Sequence, residues 1–245
     1  VSSRNLTEAV SYDPILTARI LRLANSPLYS LQKNVSTLQQ AVDVVGMKSI
    51  YEILIIGLAA DSFAKEIRDS DEGRKIWEHS LAVALLSREL SRTIGMRGTE
   101  EAFICGLLHD IGKILLLRND LTGYSVLLAE HNENRMLTSE IAAYGYNHAQ
   151  IGSLVANRWG LPDGVCHTIL NHHNPSQSQR FAVMAHLICA ADMISNLNGF
   201  GLRNSPNDFS DETESTIILN LSSEQIDIAW ANTIDSIIEI TNAFA

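Results

Sequence analysis

Apolar residues recur at helical spacing along nearly the whole chain, and no stretch sustains the period-two alternation of a half-buried strand. The punctuation is helical as well. Asp13-Pro14 reads as an N-cap followed by proline at the first helical position, and Asn25-Ser26-Pro27 stops that helix. Ser36 and Gln39 have capping-box spacing ahead of Ala41, Val42 and Val45, with Gly46 placed to end the turn. A longer apolar helix follows over about 48–67, and the acidic, glycine-containing run Asp69-Ser70-Asp71-Glu72-Gly73 reads as a junction. Further helices are expected near 76–94, 99–117, 124–131, 139–144, 148–159, 162–173 and 181–196, with Asn147 and Gln150 as a cap pair and Gly160 with Pro162 as a stop and restart. A polar loop over 199–211 precedes helices at 212–219 and 223–244. The chain is therefore expected to be all-α. It divides into an N-terminal helical subdomain (1–68), a helical core (69–199), and a C-terminal loop with helices (200–245) that completes the domain.

With 245 residues, 46% of them hydrophobic, the chain can bury a sizeable core. Its formal net charge of -10 repels phosphate backbones and argues against nucleic-acid or acidic-membrane binding. The longest unbroken apolar stretch, 53–60, falls well short of the roughly 20 residues a membrane-spanning helix needs. Cys105, Cys166 and Cys189 are an odd set without CxxC spacing, as expected of buried packing residues in a reducing cytoplasm. The start, Val1-Ser2-Ser3-Arg4, has neither a methionine nor a signal-like apolar block, so the sequence is expected to begin part-way through a longer chain.

Chemistry concentrates in histidine and aspartate. His79 shares a helix face with Ala82, Val83, Leu86 and Leu90, so an imidazole points where apolar side chains point. Asp192 lies on the stripe of Ala185, Ile188 and Cys189, and a buried carboxylate requires a cation, a metal or a proton. His109-Asp110 interrupts an apolar run; adjacent helical residues point about 100° apart, so both reach one ion only at a helix end or a distortion such as Gly112 supplies. His172-His173 ends another helix, and His148 heads one more. Imidazoles and carboxylates suit first-row ions such as Fe, Mn, Ni or Zn, with Asp110 able to bridge two. On pattern alone, a shared metal centre and separate structural roles both account for these residues.

The order His79, His109-Asp110, Asp192 resembles the signature of the HD superfamily of metal-dependent phosphohydrolases. His148, His172-His173 and Lys113 in His-Asp-Ile-Gly-Lys are similar to the extended set of HD-GYP phosphodiesterases. Asp13-Pro14, the run from Leu21 to Pro27, Ala41 to Gly46, Gly106 to Gly112, His148 to Gly152, and Trp159-Gly160-Leu161-Pro162 together resemble the HDOD family over about residues 5–240. HDOD is the HD-related output domain of bacterial signalling proteins.

That resemblance implies an N-terminal bundle packed on an HD-type helical core, in an output module whose partners are other signalling proteins or an upstream receiver or sensor domain. It assigns His79, His109, Asp110 and Asp192 to a first metal site and His148, His172 and His173 to a second. If the module is an enzyme, the resemblance implies phosphoester hydrolysis on a nucleotide or cyclic dinucleotide, with Asp110 and Lys113 as catalytic residues and Lys113 offsetting phosphoryl charge; the alternative for Lys113, and the commoner fate of a lysine, is a surface ion pair. After His173 the chain reads Asn174-Pro175-Ser176-Gln177, without the Gly-Tyr-Pro element of HD-GYP enzymes, which speaks against cyclic di-GMP hydrolysis. Trp77, Trp159 and Trp230 are expected as core anchors, and His131, His167 and His186 as surface or packing residues. The acidic cluster 208–214 is expected to be a solvated loop and helix start.

Overall fold

The structure, a computed structural model, describes residues 35–62, 70–129, 133–201 and 213–244, together with Thr17, Ile20, Leu21, Ala24 and Asn25. Among the described residues every regular element is a helix. The expected Asp13-Pro14 cap, Ser26-Pro27, Asp69, His131 and the stretch 202–212 lie outside them. The chain divides into two compact units, Val1–Ala64 with Asp235–Ala245, and Lys65–Ile234.

In the first unit, Asn25 does the work of a backbone turn: its Nδ2 donates to the carbonyls of Leu21 and Val35, both at 2.8 Å, and its Oδ1 accepts from Val35 N at 2.7 Å. Helix α1 (Leu38–Ser62) breaks at Gly46, where φ is 82° and ψ 152°, a conformation that glycine adopts without a Cβ penalty. Gly46 thus ends one helix as expected, and the next begins at once. The cap sits one residue later than its spacing suggested. Thr37 Oγ1 accepts from Gln40 N, and Gln40 Oε1 reaches back to Ser36 N at 2.9 Å, so Gln40 rather than Gln39 ties down this helix start.

The second unit is built around α2 (Asp71–Thr93), capped by Ser70, whose Oγ accepts from Gly73 N at 3.0 Å. Asp71 to Gly73, expected in the junction, form its first turn, where two acidic side chains favour the positive helix end. Helices α3 (Thr99–Leu108), α4 (Ile111–Asn119), α5 (Leu121–Leu128), α6 (Glu133–Tyr144), α7 (His148–Arg158), α8 (Asp163–Asn171), α9 (Ala182–Leu197), α10 (Glu214–Ile218) and α11 (Ser223–Phe244) follow. Leu86, Leu90, Ile169, Leu187 and Ile188 centre a core shared by α2, α8 and α9. Helix α2 packs most extensively on α3, and a Cβ at Gly106 would stand 2.7 Å from Ala84 Cα. Only glycine lets these two helices cross in backbone contact. On the other side α7 lies against both α4 and α8.

Three expectations are corrected here. The single helix over 99–117 is two, separated at His109-Asp110. Helices α5 and α6 begin earlier than 124 and 139. Trp159 is no core anchor: it caps the C-terminal end of α7 and is 53% exposed, because the chain turns away at Gly160 (φ 75°). Trp77 is buried, and Trp230 packs against Phe200 with ring centroids 5.8 Å apart.

Candidate metal centre

The break between α3 and α4 solves the problem that adjacent ligands pose. His109 caps the end of α3 still in helical geometry (φ -55°, ψ -38°), and Asp110 leaves it (φ -102°, ψ 13°) before Ile111 starts α4. Both side chains then turn to the same side. Gly112 has a different task from the distortion expected of it: a Cβ there would lie 1.9 Å from the His148 carbonyl oxygen, so its bare backbone admits the first residue of α7.

Asp110 stands between two groups of ligand atoms, each within 4.8 Å of one another: His79, His109 and Asp192 on one side, and Asp110 itself with His148, His172 and His173 on the other. Its Oδ2 faces His109 Nε2 at 3.4 Å, His79 Nε2 at 3.8 Å and Lys113 Nζ at 2.6 Å. Its Oδ1 faces His148 Nε2 at 3.4 Å and His172 Nε2 at 3.7 Å. His79 Nε2 lies 2.9 Å from Asp192 Oδ1, and that oxygen also accepts from Asn196 Nδ2 at 2.7 Å. The rings follow one another edge to face or tilted, from His79 through His109 and His172 to His148 and His173, with centroids 3.8 to 5.6 Å apart.

His79, His109, His148 and His172 have their Nδ1 engaged away from the centre. His79 Nδ1 meets the Phe200 carbonyl at 2.6 Å, His109 Nδ1 that of Gly106 at 2.8 Å, and His172 Nδ1 that of Ile169 at 2.7 Å. A carbonyl only accepts, so each of these rings carries a proton on Nδ1; His109 and His172 then turn the Nε2 lone pair inward, while His79 Nε2 faces the Asp192 carboxylate. That arrangement is the one in which histidine holds a metal.

The electrostatics agree. Burial alone raises a carboxyl pKa, but His109 Nε2 at 3.4 Å and the Lys113 ammonium at 2.6 Å hold Asp110 well below its ordinary value. Asp192 is likewise lowered, burial being outweighed by its bond to His79. Burial depresses His79, yet the hydrogen bond and charge of Asp192 leave it raised, whereas burial and Lys113 together lower His148. His109, Asp110, His148 and His172 are 0% exposed, and Asp110 Oδ1, His109 Nε2 and His172 Nε2 make no hydrogen bond. Leaving such a buried group unpaired costs about 1–3 kcal/mol. Three orphaned ligand atoms around one carboxylate fit a divalent ion.

One residue of the centre escapes sequence reasoning. Glu140 on α6 is 0% exposed; its Oε2 accepts from His148 N and Nδ1, both at 2.8 Å, and its Oε1 accepts from Tyr124 OH at 2.6 Å. Of the other histidines, His186 is buried against Ser215 Oγ at 3.0 Å and His167 packs near Phe181, both outside the centre.

The chain is 25% identical over 199 residues to an uncharacterized protein of Treponema pallidum, covering 79% of this chain and 38% of that protein. It is 32% identical over 102 residues to ribonuclease Y of Mycoplasma genitalium, covering 42% of this chain and 16% of that enzyme. The chain thus spans well under half the length of either relative. Its fold matches the crystal structure of an HDOD domain protein with unknown function from Geobacter sulfurreducens, with a TM-score of 0.80 and 25% identity over 100% of this chain and 86% of the other. The sequence model of the HDOD domain matches residues 1–175, which include six of the seven candidate metal ligands, all but Asp192, and on that match the chain belongs to the HDOD family.

Proposed function

We propose that the chain is a signalling output module of HDOD type that keeps a working HD metal site and acts by binding a partner protein or a nucleotide ligand. The observation that carries this reading is enclosure. A structural metal site is closed, while a catalytic one keeps an open position for water and substrate. Here Asp110 and the rings of His109, His148 and His172 are sealed from solvent, and His79 and Lys113 are 2% and 5% exposed. His79, His109, Asp110 and Asp192 would hold one ion, and Asp110, His148, His172 and His173 a second, with Fe, Mn, Ni or Zn matching the donor set. Were the site to open to water, a bound ion there would supply Lewis acidity and lower that water's pKa.

Lys113 bears on the same question. Its ammonium is committed to Asp110 Oδ2 at 2.6 Å inside the protein, where it balances the carboxylate's charge. The second reading, a metal-dependent phosphohydrolase acting on a nucleotide or cyclic dinucleotide, draws on the complete ligand set and on the likeness to a ribonuclease over 102 residues. In that case Lys113 would exchange Asp110 for a phosphoryl oxygen as the site opens.

Elemental mass spectrometry of protein purified without chelator or affinity metal tests the first step. One to two equivalents of metal, lost in His109→Ala, are expected; metal-free folded protein that takes up none of the four ions refutes the site. A panel of phosphoesters with Mn and Fe then separates the readings. Hydrolysis abolished by His109→Ala establishes the enzyme, and no turnover in loaded protein leaves the output module.

A further inference from the structure

Glu140 is a carboxylate with three neighbours, and all three are donors: Tyr124 OH at 2.6 Å, the His148 backbone N–H at 2.8 Å, and His148 Nδ1, 2.8 Å from Oε2 and 3.0 Å from Oε1. Tyr124, Glu140 and His148 are each 0% exposed, so no water substitutes for a missing partner. Only an acceptor on both oxygens satisfies this set. The consequence falls on the far side of the ring. With its proton fixed on Nδ1, His148 presents a lone pair at Nε2, which lies 2.7 Å from His173 Nε2 and 3.4 Å from Asp110 Oδ1.

His109 and His172 obtain the same tautomer from main-chain carbonyls. His148 cannot, because it is the first residue of α7, where the backbone offers N–H groups rather than carbonyls. Resting on the metal reading above, we propose that Glu140, itself aimed by Tyr124, is a positioning residue that sets the tautomer of His148 and thereby the affinity of the ion held by Asp110, His148, His172 and His173.

A glutamine at 140 makes the discriminating variant. It keeps the size but turns an NH2 group toward one of the three donors, and a swing of the His148 proton to Nε2 would relieve that clash. Substitutions of this class weaken metal binding by roughly 10–100-fold. The test uses the full chain stripped of metal, with circular dichroism to confirm folding. Long-range 1H–15N NMR reads the His148 tautomer, and a Co2+ titration reads affinity, with the step abolished by His148→Ala marking the ion concerned.

The expected result is an Nδ1–H tautomer in the wild type and in Tyr124→Phe, a shift toward Nε2–H in Glu140→Gln, and a 10–100-fold weaker His148-dependent step in that variant. The step that Asp192→Ala removes should change less than about twofold. An Nε2–H tautomer in the wild type overturns the proposal without any variant having to fold. So does Glu140→Gln that binds Co2+ like the wild type. Wild-type protein that binds no Co2+ refutes the metal reading instead, and is told apart by that alone.

Discussion

Replacing Gly112 with alanine should damage this protein more than any other glycine substitution near the centre. The added Cβ would stand 1.9 Å from the His148 carbonyl oxygen, 2.7 Å from its carbon and 2.9 Å from its Cα. A comfortable carbon–oxygen contact is about 3.3 Å or longer, so α4 and α7 must separate by more than about 1 Å. The obstacle is main chain at the start of a helix, and no side-chain rotation relieves it. Nor can α7 slide easily: a Cβ at Gly152, one turn on, would already lie 3.0 Å from Ile169 Cγ2 and 3.4 Å from Gly112 N. Overpacking of this kind costs about 1–3 kcal/mol, and the depth of the overlap places Gly112→Ala near about 3 kcal/mol. For a unit the size of Lys65–Ile234 that is a fall in Tm of roughly 6–12 °C, read by thermal denaturation in chelator. Gly160→Ala is the control: its φ of 75° is strained but the space is open, giving about 1–2 kcal/mol and no effect on metal. Metal affinity should fall in Gly112→Ala because the separation draws His148 away from Asp110. A Tm within 2 °C of the wild type, or a loss no larger than that of Gly160→Ala, refutes the close approach of α4 and α7.

Other outcomes follow from the same geometry. Lys113→Met leaves Asp110 buried without its cation and should cost about 3–5 kcal/mol in metal-free protein, a deficit that shrinks when Mn2+ or Zn2+ is added; equal deficits with and without metal would show that the ion does not sit at Asp110. Asn147→Ala removes the side chain that accepts from Gln150 N at 2.9 Å at the head of α7, and should lower stability by about 1 kcal/mol in urea denaturation. Cys105, whose thiol burial and Glu101 push up to about 12, should resist iodoacetamide at pH 8.5 in the native protein and react only on unfolding; native-state labelling would refute its enclosure. In chelator, acid should unfold the protein from below the ordinary carboxyl range. Native Asp110 and Glu140 are held below their usual 3.8 and 4.5, so the unfolded chain binds more protons as pH falls and the stability present above that range is lost; a pH-independent Tm between 5 and 3 would contradict the pairing.

Helical period and caps carry most of the fold because they are local. The Asn147 and Gln150 capping box is present at the expected place. What the sequence hides is what tertiary contact decides. Residues 99–117 read as one apolar helix, since nothing in Leu107-Leu108-His109-Asp110-Ile111 disfavours helix; the break follows from aiming two adjacent side chains at one centre. His79 and Asp192 stand out as polar residues on apolar stripes. Glu140 does not, because a glutamate on a short amphipathic helix looks like an ordinary solvated side chain until Tyr124 and His148 close over it. Trp159 misleads in the opposite sense: its spacing fits the buried face of α7, but it falls at the helix end, beyond the last turn that packs.

The anchoring of the imidazoles also sets the order in which the centre can assemble. His109 and His172 bond carbonyls three residues upstream, so each ring is aimed as soon as its own helix forms. His79 bonds the carbonyl of Phe200, 121 residues away, and acquires its direction only when the two ends of the second unit meet. Loop closure over that span is the slower event. During refolding, His109 and His172 therefore have their directions set before His79 does.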